Sequence, residues 1–153
     1  MLGTGDTAPE FTLPDQDGTP VSLAELLKSG PLLLYFYPAD FTPGCTKEAC
    51  DIRDMHEDIS DVGIRVVGVS PQDEDSHSRF RSKHELPFTL LADEDKAVVG
   101  AYGVDGPLGI GVRRATFLIG EDQVIEDVVV ADLRVGRHSD FIRQAVAGRR
   151  ADS

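Results

Sequence analysis

Two cysteines are the residues of this sequence most suited to chemistry. Cys45 and Cys50 are the two cysteines of the 153-residue chain. Thr42 and Pro43 precede Cys45, and these residue types favour the N-cap and the first position of a helix. Cys45 is therefore predicted in a first helical turn, where free N–H groups and the helix dipole favour thiolate over thiol. We predict that Cys45 is a nucleophile at neutral pH.

The spacing of the two cysteines predicts different environments for their thiols. Five positions along an intact helix separate the Cα atoms by about 8.6 Å, whereas a disulfide needs roughly 4.4–6.8 Å. Cys45 is in line with a predicted buried helix face, and Cys50 lies off it. A sheltered thiol beside one that becomes available when the helix start unwinds is typical of an attacking and a resolving thiol. The predicted face consists of Ala49, Ile52, Met55, Ile59 and Val62.

The residues around Cys45 form a recognisable pattern. Pro38, Thr42 and Cys45 have the spacing P-x-x-x-T-x-x-C. This pattern resembles the active-site signature of the peroxiredoxins. The run TPGCTKEACDIRD is similar to the peroxiredoxin Q (bacterioferritin-comigratory protein) subfamily, in which a resolving cysteine follows the peroxidatic one by five positions. The resemblance extends from the segment APEFTL to the segment RRATFLIG.

The resemblance implies a thiol-dependent peroxidase for hydrogen peroxide and organic hydroperoxides. Peroxide would oxidise Cys45 to a sulfenic acid, and Cys50 would condense with it to an intramolecular disulfide. A dithiol reductant such as thioredoxin would restore both thiols by exchange. No metal or organic cofactor is implied.

The segment before Cys45 contains two further candidate site residues. Attack on a peroxide requires a thiolate, donors that hold the peroxide oxygens and stabilisation of the leaving oxygen. Thr42 offers a hydroxyl at the open helix turn, and the backbone N–H groups of Gly44 and Cys45 offer more donors. Pro38 would shield the pocket from water.

A cation and a carboxylate complete the predicted site. The resemblance assigns the cation to Arg114, at the start of the predicted strand RATFLI. Because strand side chains alternate between faces, Arg113 is expected to face solvent. Glu48 follows Cys45 by three positions and lies on nearly the same helix face. It would either orient the arginine, as the resemblance implies, or complement the helix dipole.

Two other functions would also use a close pair of cysteines. A thioredoxin-like disulfide oxidoreductase would need C-x-x-C spacing, whereas four residues separate Cys45 and Cys50. A redox sensor or metal-binding module could add His56 as a zinc ligand, but two thiolates and one imidazole are too few for a closed structural site. The other histidines lie in polar stretches and are predicted to be solvated: His77, His84 and His138.

Composition and charge favour one globular domain over residues 1–153. Hydrophobic residues make up 41% of the chain, which suits a single core. No stretch is apolar enough to span a bilayer, and the start MLGTGDTAPEF lacks a secretory signal, so we predict a cytoplasmic protein. The formal net charge of −12 disfavours nucleic acid and anionic membranes as partners. A monomer or weak homodimer is expected.

Alternating strands and helices predict an α/β fold with a mixed central sheet. The order is that of a thioredoxin-like fold, and the resemblance implies the N-terminal β-hairpin extension. Residues 148–153 are predicted to be a frayed tail. The predicted strands are 11–13, 20–22, 32–37, 64–70, 88–91, 114–119 and 124–130. Helices are predicted from residue 22, over 42–63, over 73–84, within 93–102 and over about 139–147. Residues 103–111 are predicted to form a loop.

Overall fold

The computed structural model describes residues 1–151 of the chain. None of the helices in this part has the length and apolar character needed to cross a membrane. The strands are β1 (Thr12–Pro14), β2 (Pro20–Ser22), β3 (Leu32–Phe36), β4 (Arg65–Ser70), β5 (Thr89–Ala92), β6 (Ala115–Ile119) and β7 (Ile125–Val130). The helices are α1 (Leu23–Leu27), α2 (Pro43–Asp61), α3 (Glu74–Lys83), α4 (Ala97–Ala101) and α5 (Gly136–Ala151).

A five-stranded mixed sheet with the order β5-β4-β3-β6-β7 forms the centre of the fold. β3 pairs parallel with β4 and antiparallel with β6. β5 extends the parallel side, and β7 extends the antiparallel side. β1 and β2 form a separate antiparallel hairpin near the N-terminus. The predicted mixed sheet and N-terminal hairpin are therefore confirmed.

Strand β3 is buried along its whole length because helices cover both faces of the sheet. Successive side chains point to opposite faces, so β3 contributes to two separate cores. Leu34 and Phe36 pack in the core that includes α1 and α4. Leu33 and Tyr35 pack in the other core, together with residues of α2, α3 and α5. The apolar run of β3 thus fixes α2 against the sheet.

The antiparallel pairing of β3 and β6 brings two distant parts of the chain to one edge. Phe36 at the end of β3 is opposite Ala115 at the start of β6. The chain that leaves β3 toward α2 therefore lies beside the residue that precedes β6, which is Arg114. This pairing explains how the start of α2 and Arg114 come together.

Helix α5 is longer than the sequence predicts. It begins at Gly136 and continues to Ala151, so the predicted fraying is wrong for residues 148–151. Residues 152 and 153 lie outside the described part of the chain. In the last turn, Arg149 donates to Glu126 at 2.6 Å and Arg150 to Asp58 at 3.2 Å. Cations at a helix C-terminus also complement the dipole.

Candidate active site

Helix α2 holds Cys45 in its first turn. Thr42 has extended backbone angles and takes the N-cap position, and Pro43 is the first helical residue. The Thr42 hydroxyl donates to the Ala39 carbonyl at 3.0 Å instead of accepting from α2, so the helix start has no side-chain cap. Cys45 is 2% exposed and belongs to the core formed with α2.

Arg114 connects the Cys45 thiol to a buried carboxylate. Its Nη2 donates to Cys45 Sγ at 3.2 Å, and its Nη1 donates to Glu48 Oε1 at 2.7 Å. Both side chains are largely buried, with 7% of Arg114 and 1% of Glu48 exposed. Gly44 leaves space for the guanidinium, since a Cβ there would lie 3.2 Å from Arg114 Nη2. The structure thus places three of the predicted site residues in contact.

Burial and neighbouring charges have opposite effects on the pKa values of Glu48 and Arg114. Burial raises the pKa of Glu48 to about 7, although the Arg114 guanidinium opposes the rise. Burial alone would lower the pKa of Arg114, but the neighbouring Glu48 and Cys45 outweigh it, and the pKa of Arg114 lies above its ordinary value. Arg114 therefore remains a cation beside the sulfur.

Asp132 holds the backbone of Arg114 and pairs with the neighbouring Arg113. Arg113 faces solvent, as predicted, and forms an ion pair with Asp132 at 3.0 Å. The other Asp132 oxygen accepts from the backbone N–H of Arg114 at 3.0 Å. Burial would raise the pKa of Asp132, but its bonds to Arg113 and Arg114 hold it below the usual value. Sequence reasoning missed Asp132, because nothing in its local pattern links it to a residue 18 positions away.

A buried network secures the turn between β3 and α2. The Tyr37 hydroxyl donates to Asp40 Oδ1 at 2.7 Å, and the Ser76 hydroxyl donates to Asp40 Oδ2 at 2.8 Å. His77 Nδ1 lies 2.7 Å from Asp40 Oδ2. The prediction that His77 is solvated is wrong, since its side chain is fully buried. Its buried partners lie on other elements, so the polar neighbours of His77 in the sequence concealed its position.

His138 is a second histidine that the sequence misplaced. It was expected to be solvated, but it is fully buried at the start of α5. Its Nε2 lies 2.9 Å from the Ala131 carbonyl, and its Nδ1 lies 2.8 Å from Thr116 Oγ1. The same Nδ1 lies 3.6 Å from Glu48 Oε2. His138 therefore packs against the far side of the carboxylate that binds Arg114.

Cys50 is half-buried on α2, one turn and a half beyond Cys45. Both cysteines are free thiols, and α2 is continuous between them. Cys50 Sγ lies 3.9 Å from His84 Nδ1. His84 is also half-buried, so the prediction that it is solvated is wrong. In residues 1–151, no three His, Cys, Asp or Glu side chains are grouped as a metal ion would require, and the proposed zinc ligand His56 belongs to no such group.

A cavity of about 640 Å³ opens beside the arginine. Pro38 is exposed at this cavity, and the loop between α4 and β6 forms its other side. Two large apolar side chains of this loop are open to solvent: Leu108 is 97% exposed and Ile110 is 73% exposed. The lining includes Pro38, Pro107, Ile110, Val112, Arg113 and Arg114. Arg114 therefore connects this cavity with the buried contacts at Cys45 and Glu48.

The fold is that of a known family. The model of the AhpC/TSA family matches residues 4–128. The chain belongs to the AhpC/TSA family. Within that family it is similar to peroxiredoxin Q and Bcp proteins, which confirms the resemblance drawn from the run around Cys45.

Three relatives show the extent of this similarity. The chain is 44% identical over 137 residues to the chloroplastic peroxiredoxin Q of Sedum lineare, covering 89% of this chain and 73% of that protein. The crystal structure of peroxidoxin BcpB from Mycobacterium tuberculosis superposes with a TM-score of 0.89 at 40% identity, over 99% of this chain and 98% of that one. A peroxiredoxin Q structure from Xanthomonas campestris superposes with a TM-score of 0.81 at 29% identity, over 92% of this chain and 90% of that one. The chain spans only 63% of the length of the rice chloroplastic relatives.

Proposed function

We propose that this protein is a thiol-dependent peroxidase that reduces hydroperoxides with Cys45. The observation that carries the proposal is the double contact of Arg114, which binds Cys45 Sγ and Glu48 Oε1 with the two ends of its guanidinium. A fixed cation beside a sulfur at a helix N-terminus favours a thiolate. Family membership supports the same activity, since peroxiredoxins use peroxide substrates and thioredoxin-type reductants.

In the first step, the Cys45 sulfur attacks one oxygen of the peroxide. The S–O bond forms as the O–O bond breaks, and the second oxygen leaves with the electron pair and takes up a proton to give water or an alcohol. Arg114 Nη2 would donate to the oxygens as negative charge develops, because it already lies 3.2 Å from the sulfur. The N–H groups of the uncapped helix start would add further donors, and the Thr42 hydroxyl would join them after releasing the Ala39 carbonyl, to which it donates at 3.0 Å.

In the second step, Cys50 condenses with the sulfenic acid. The S–S bond forms, and the sulfenic oxygen leaves as water. Since α2 is continuous from Pro43 to Asp61, its first turns must unwind before the two sulfurs meet. A thioredoxin-type dithiol then reduces the disulfide and is itself oxidised to a disulfide.

No observation favours the other two functions considered above. The Arg114–Glu48 ion pair is buried at 2.7 Å against Cys45, and neither disulfide exchange nor metal storage requires such a cation. The roles of Pro38, Thr42 and Glu48, the single domain over residues 1–153, the cytoplasmic location and the monomer or weak homodimer stay predictions.

Cysteine variants test the proposed division of roles. We expect Cys45→Ser to abolish hydrogen peroxide consumption in the presence of dithiothreitol. Cys50→Ser should consume one equivalent of peroxide per chain and then turn over slowly, because the sulfenic acid has lost its resolving partner. Peroxide remaining is measured over time beside the wild-type protein. Wild-type turnover by Cys45→Ser would refute the proposal.

A further inference from the structure

Glu48 uses only one of its two carboxylate oxygens for Arg114. Oε1 accepts from Arg114 Nη1, whereas Oε2 is buried and has no hydrogen-bond partner. An unpaired buried carboxylate oxygen is costly, because it has lost water without gaining a donor. His138 is an ionisable group on the side of this oxygen, and its Nδ1 lies 3.6 Å from Oε2.

The hydrogen bonds of His138 define which ring nitrogen carries the proton. Nε2 faces the Ala131 carbonyl at 2.9 Å, and a carbonyl can only accept, so Nε2 is protonated. In the neutral ring, Nδ1 is then an acceptor, and the Thr116 hydroxyl at 2.8 Å can donate to it. Burial and the nearby Arg114 lower the pKa of His138, which favours this neutral ring. An acceptor nitrogen and an orphaned carboxylate oxygen therefore face each other.

The buried cluster carries an excess negative charge when Cys45 is a thiolate. With Cys45 as a thiolate, the buried cluster contains two negative groups, the thiolate and the Glu48 carboxylate, and one positive group, Arg114. One net negative charge would then remain in a site where all three side chains are largely shielded from water. Uncompensated buried charge is strongly unfavourable. One additional proton would neutralise the cluster.

We propose that Glu48 Oε2 and His138 Nδ1 share one proton, and that this is the proton that Cys45 releases when it becomes a thiolate. The S–H bond breaks and the electron pair stays on sulfur. The proton binds to the pair, whose two atoms draw together from 3.6 Å to hydrogen-bond distance, so the site stays neutral. When the peroxide bond breaks, the leaving oxygen takes up a proton and the pair returns to its unprotonated form. His138 is thus a positioning residue that acts through Glu48. This inference rests on the proposed role of Cys45 as the attacking thiol.

The pair is surrounded by charges from every element packed against it. From α2, Asp51 acts on Glu48, and Cys45 is linked to Glu48 through their shared partner Arg114. From β3, the pair faces the buried Tyr35 hydroxyl. Arg114, which precedes β6, and Asp132, in the connection from β7 to α5, also face the pair, and Arg137 does so from the first turn of α5. Of these groups, Cys45 is the one whose charge changes in the proposed reaction, so its removal should change the proton affinity of the pair.

The test is a nitrogen-15 NMR titration of the histidine rings in the reduced full-length protein. The Nδ1 signal of His138 is followed against pH in the wild type and in Cys45→Ser, with His138→Gln used to assign it. We expect the pair to lose its proton at a pH about one unit higher in the wild type, because the thiolate holds the proton in place. Equal midpoints in the two proteins would overturn the proposal.

Two substitutions distinguish the roles of the two ring nitrogens of His138. His138→Asn retains a polar atom near Nδ1, whereas His138→Gln retains one near Nε2. In a Cys50→Ser background at pH 6, we expect alkylation of Cys45 by iodoacetamide to be within about twofold of wild type for Asn and about tenfold slower for Gln. A slower Asn variant would show that the Ala131 bond is the contact that matters, and equal rates would show that neither edge of the ring affects Cys45. Either result would overturn the proposal. Both tests measure protonation and not turnover, so the peroxidase function would survive their failure.

Discussion

At the scale of single residues, the site depends on the shape of one guanidinium. Arg114 reaches the Cys45 sulfur with one nitrogen and the Glu48 carboxylate with another. The planar fork holds both contacts in one orientation, which a flexible ammonium cannot do. Gly44 permits this approach because it places no Cβ against the arginine.

Arg114→Lys should therefore slow the attack on peroxide while leaving a positive charge in the site. One ammonium cannot donate to the sulfur and the carboxylate in the same geometry. We expect the second-order rate constant for hydrogen peroxide to fall by about 10²-fold, the usual effect of losing one positioned donor. Rapid-mixing measurements on the reduced protein give this constant.

Arg113→Lys is the matched control for this substitution. Arg113 is 43% exposed and pairs with Asp132 at the surface, where ion pairs contribute little. We expect its rate constant to stay within about twofold of wild type. Equal losses in the two variants would contradict the role assigned to Arg114.

Helix spacing was enough to predict that Cys45 and Glu48 share a helix face, whereas Arg114 was assigned by the family resemblance of the segment RATFLI; the structure brings the three side chains into contact. The sequence was insufficient for Thr116 and His138, whose hydrogen bond joins positions 22 apart. A buried histidine has no local pattern, since its partners come from β6 and from the end of β7. Hydrogen bonds between distant elements became visible only in the folded structure.

At the scale of elements, α2 has two opposing requirements. Its folded form keeps Cys45 in the core beside Arg114, and its first turns must unwind for Cys50 to react. The buried residues Ala49, Ile52 and Ile59 anchor the helix to the sheet. The helix start, by contrast, has no side-chain cap. Stability is therefore lower where the unwinding must occur.

Weakening the helix between the cysteines should accelerate disulfide formation. Lys47 is exposed on α2 and pairs with Asp51 at 2.8 Å. Lys47→Gly lowers helix stability by about 1 kcal/mol, so we expect the sulfenic acid to be resolved about fivefold faster. The rate is measured by quenching with an alkylating agent at set times after peroxide is added and counting free thiols.

Glu57→Gly provides the control for helix weakening. Glu57 is also exposed on α2 but lies beyond Cys50, and its helix propensity is similar to that of lysine. Its resolution rate should match that of the wild type. If both glycine variants resolved at the same rate, unwinding between the cysteines would not limit the reaction.

The elements themselves were largely predictable, because apolar runs and turn residues define them locally. The buried run 32–37 became β3, and the Asp-Gly turn became the hairpin of β1 and β2. The last helix was underestimated at both ends, and its last turn carries ion pairs of Arg149 and Arg150 with distant acidic residues. Such contacts cannot be read from a local window of sequence.

At the scale of the whole molecule, the mixed sheet explains how residues 69 positions apart form one site. Alternation of strands and helices was enough to predict the thioredoxin-like architecture. The similarity to BcpB over 99% of the chain agrees with that architecture. The strand order β5-β4-β3-β6-β7 came from the structure, since local periodicity does not specify which strands are neighbours.

The most direct measurement is a count of free thiols, with the intact mass, after one equivalent of hydrogen peroxide is added to the fully reduced protein. We expect both thiols to disappear within seconds, the mass to fall by two hydrogens, and no disulfide-linked dimer to form. That result would show the intramolecular disulfide between Cys45 and Cys50. Survival of both thiols would contradict the assignment of Cys45 as the attacking thiol of a peroxidase.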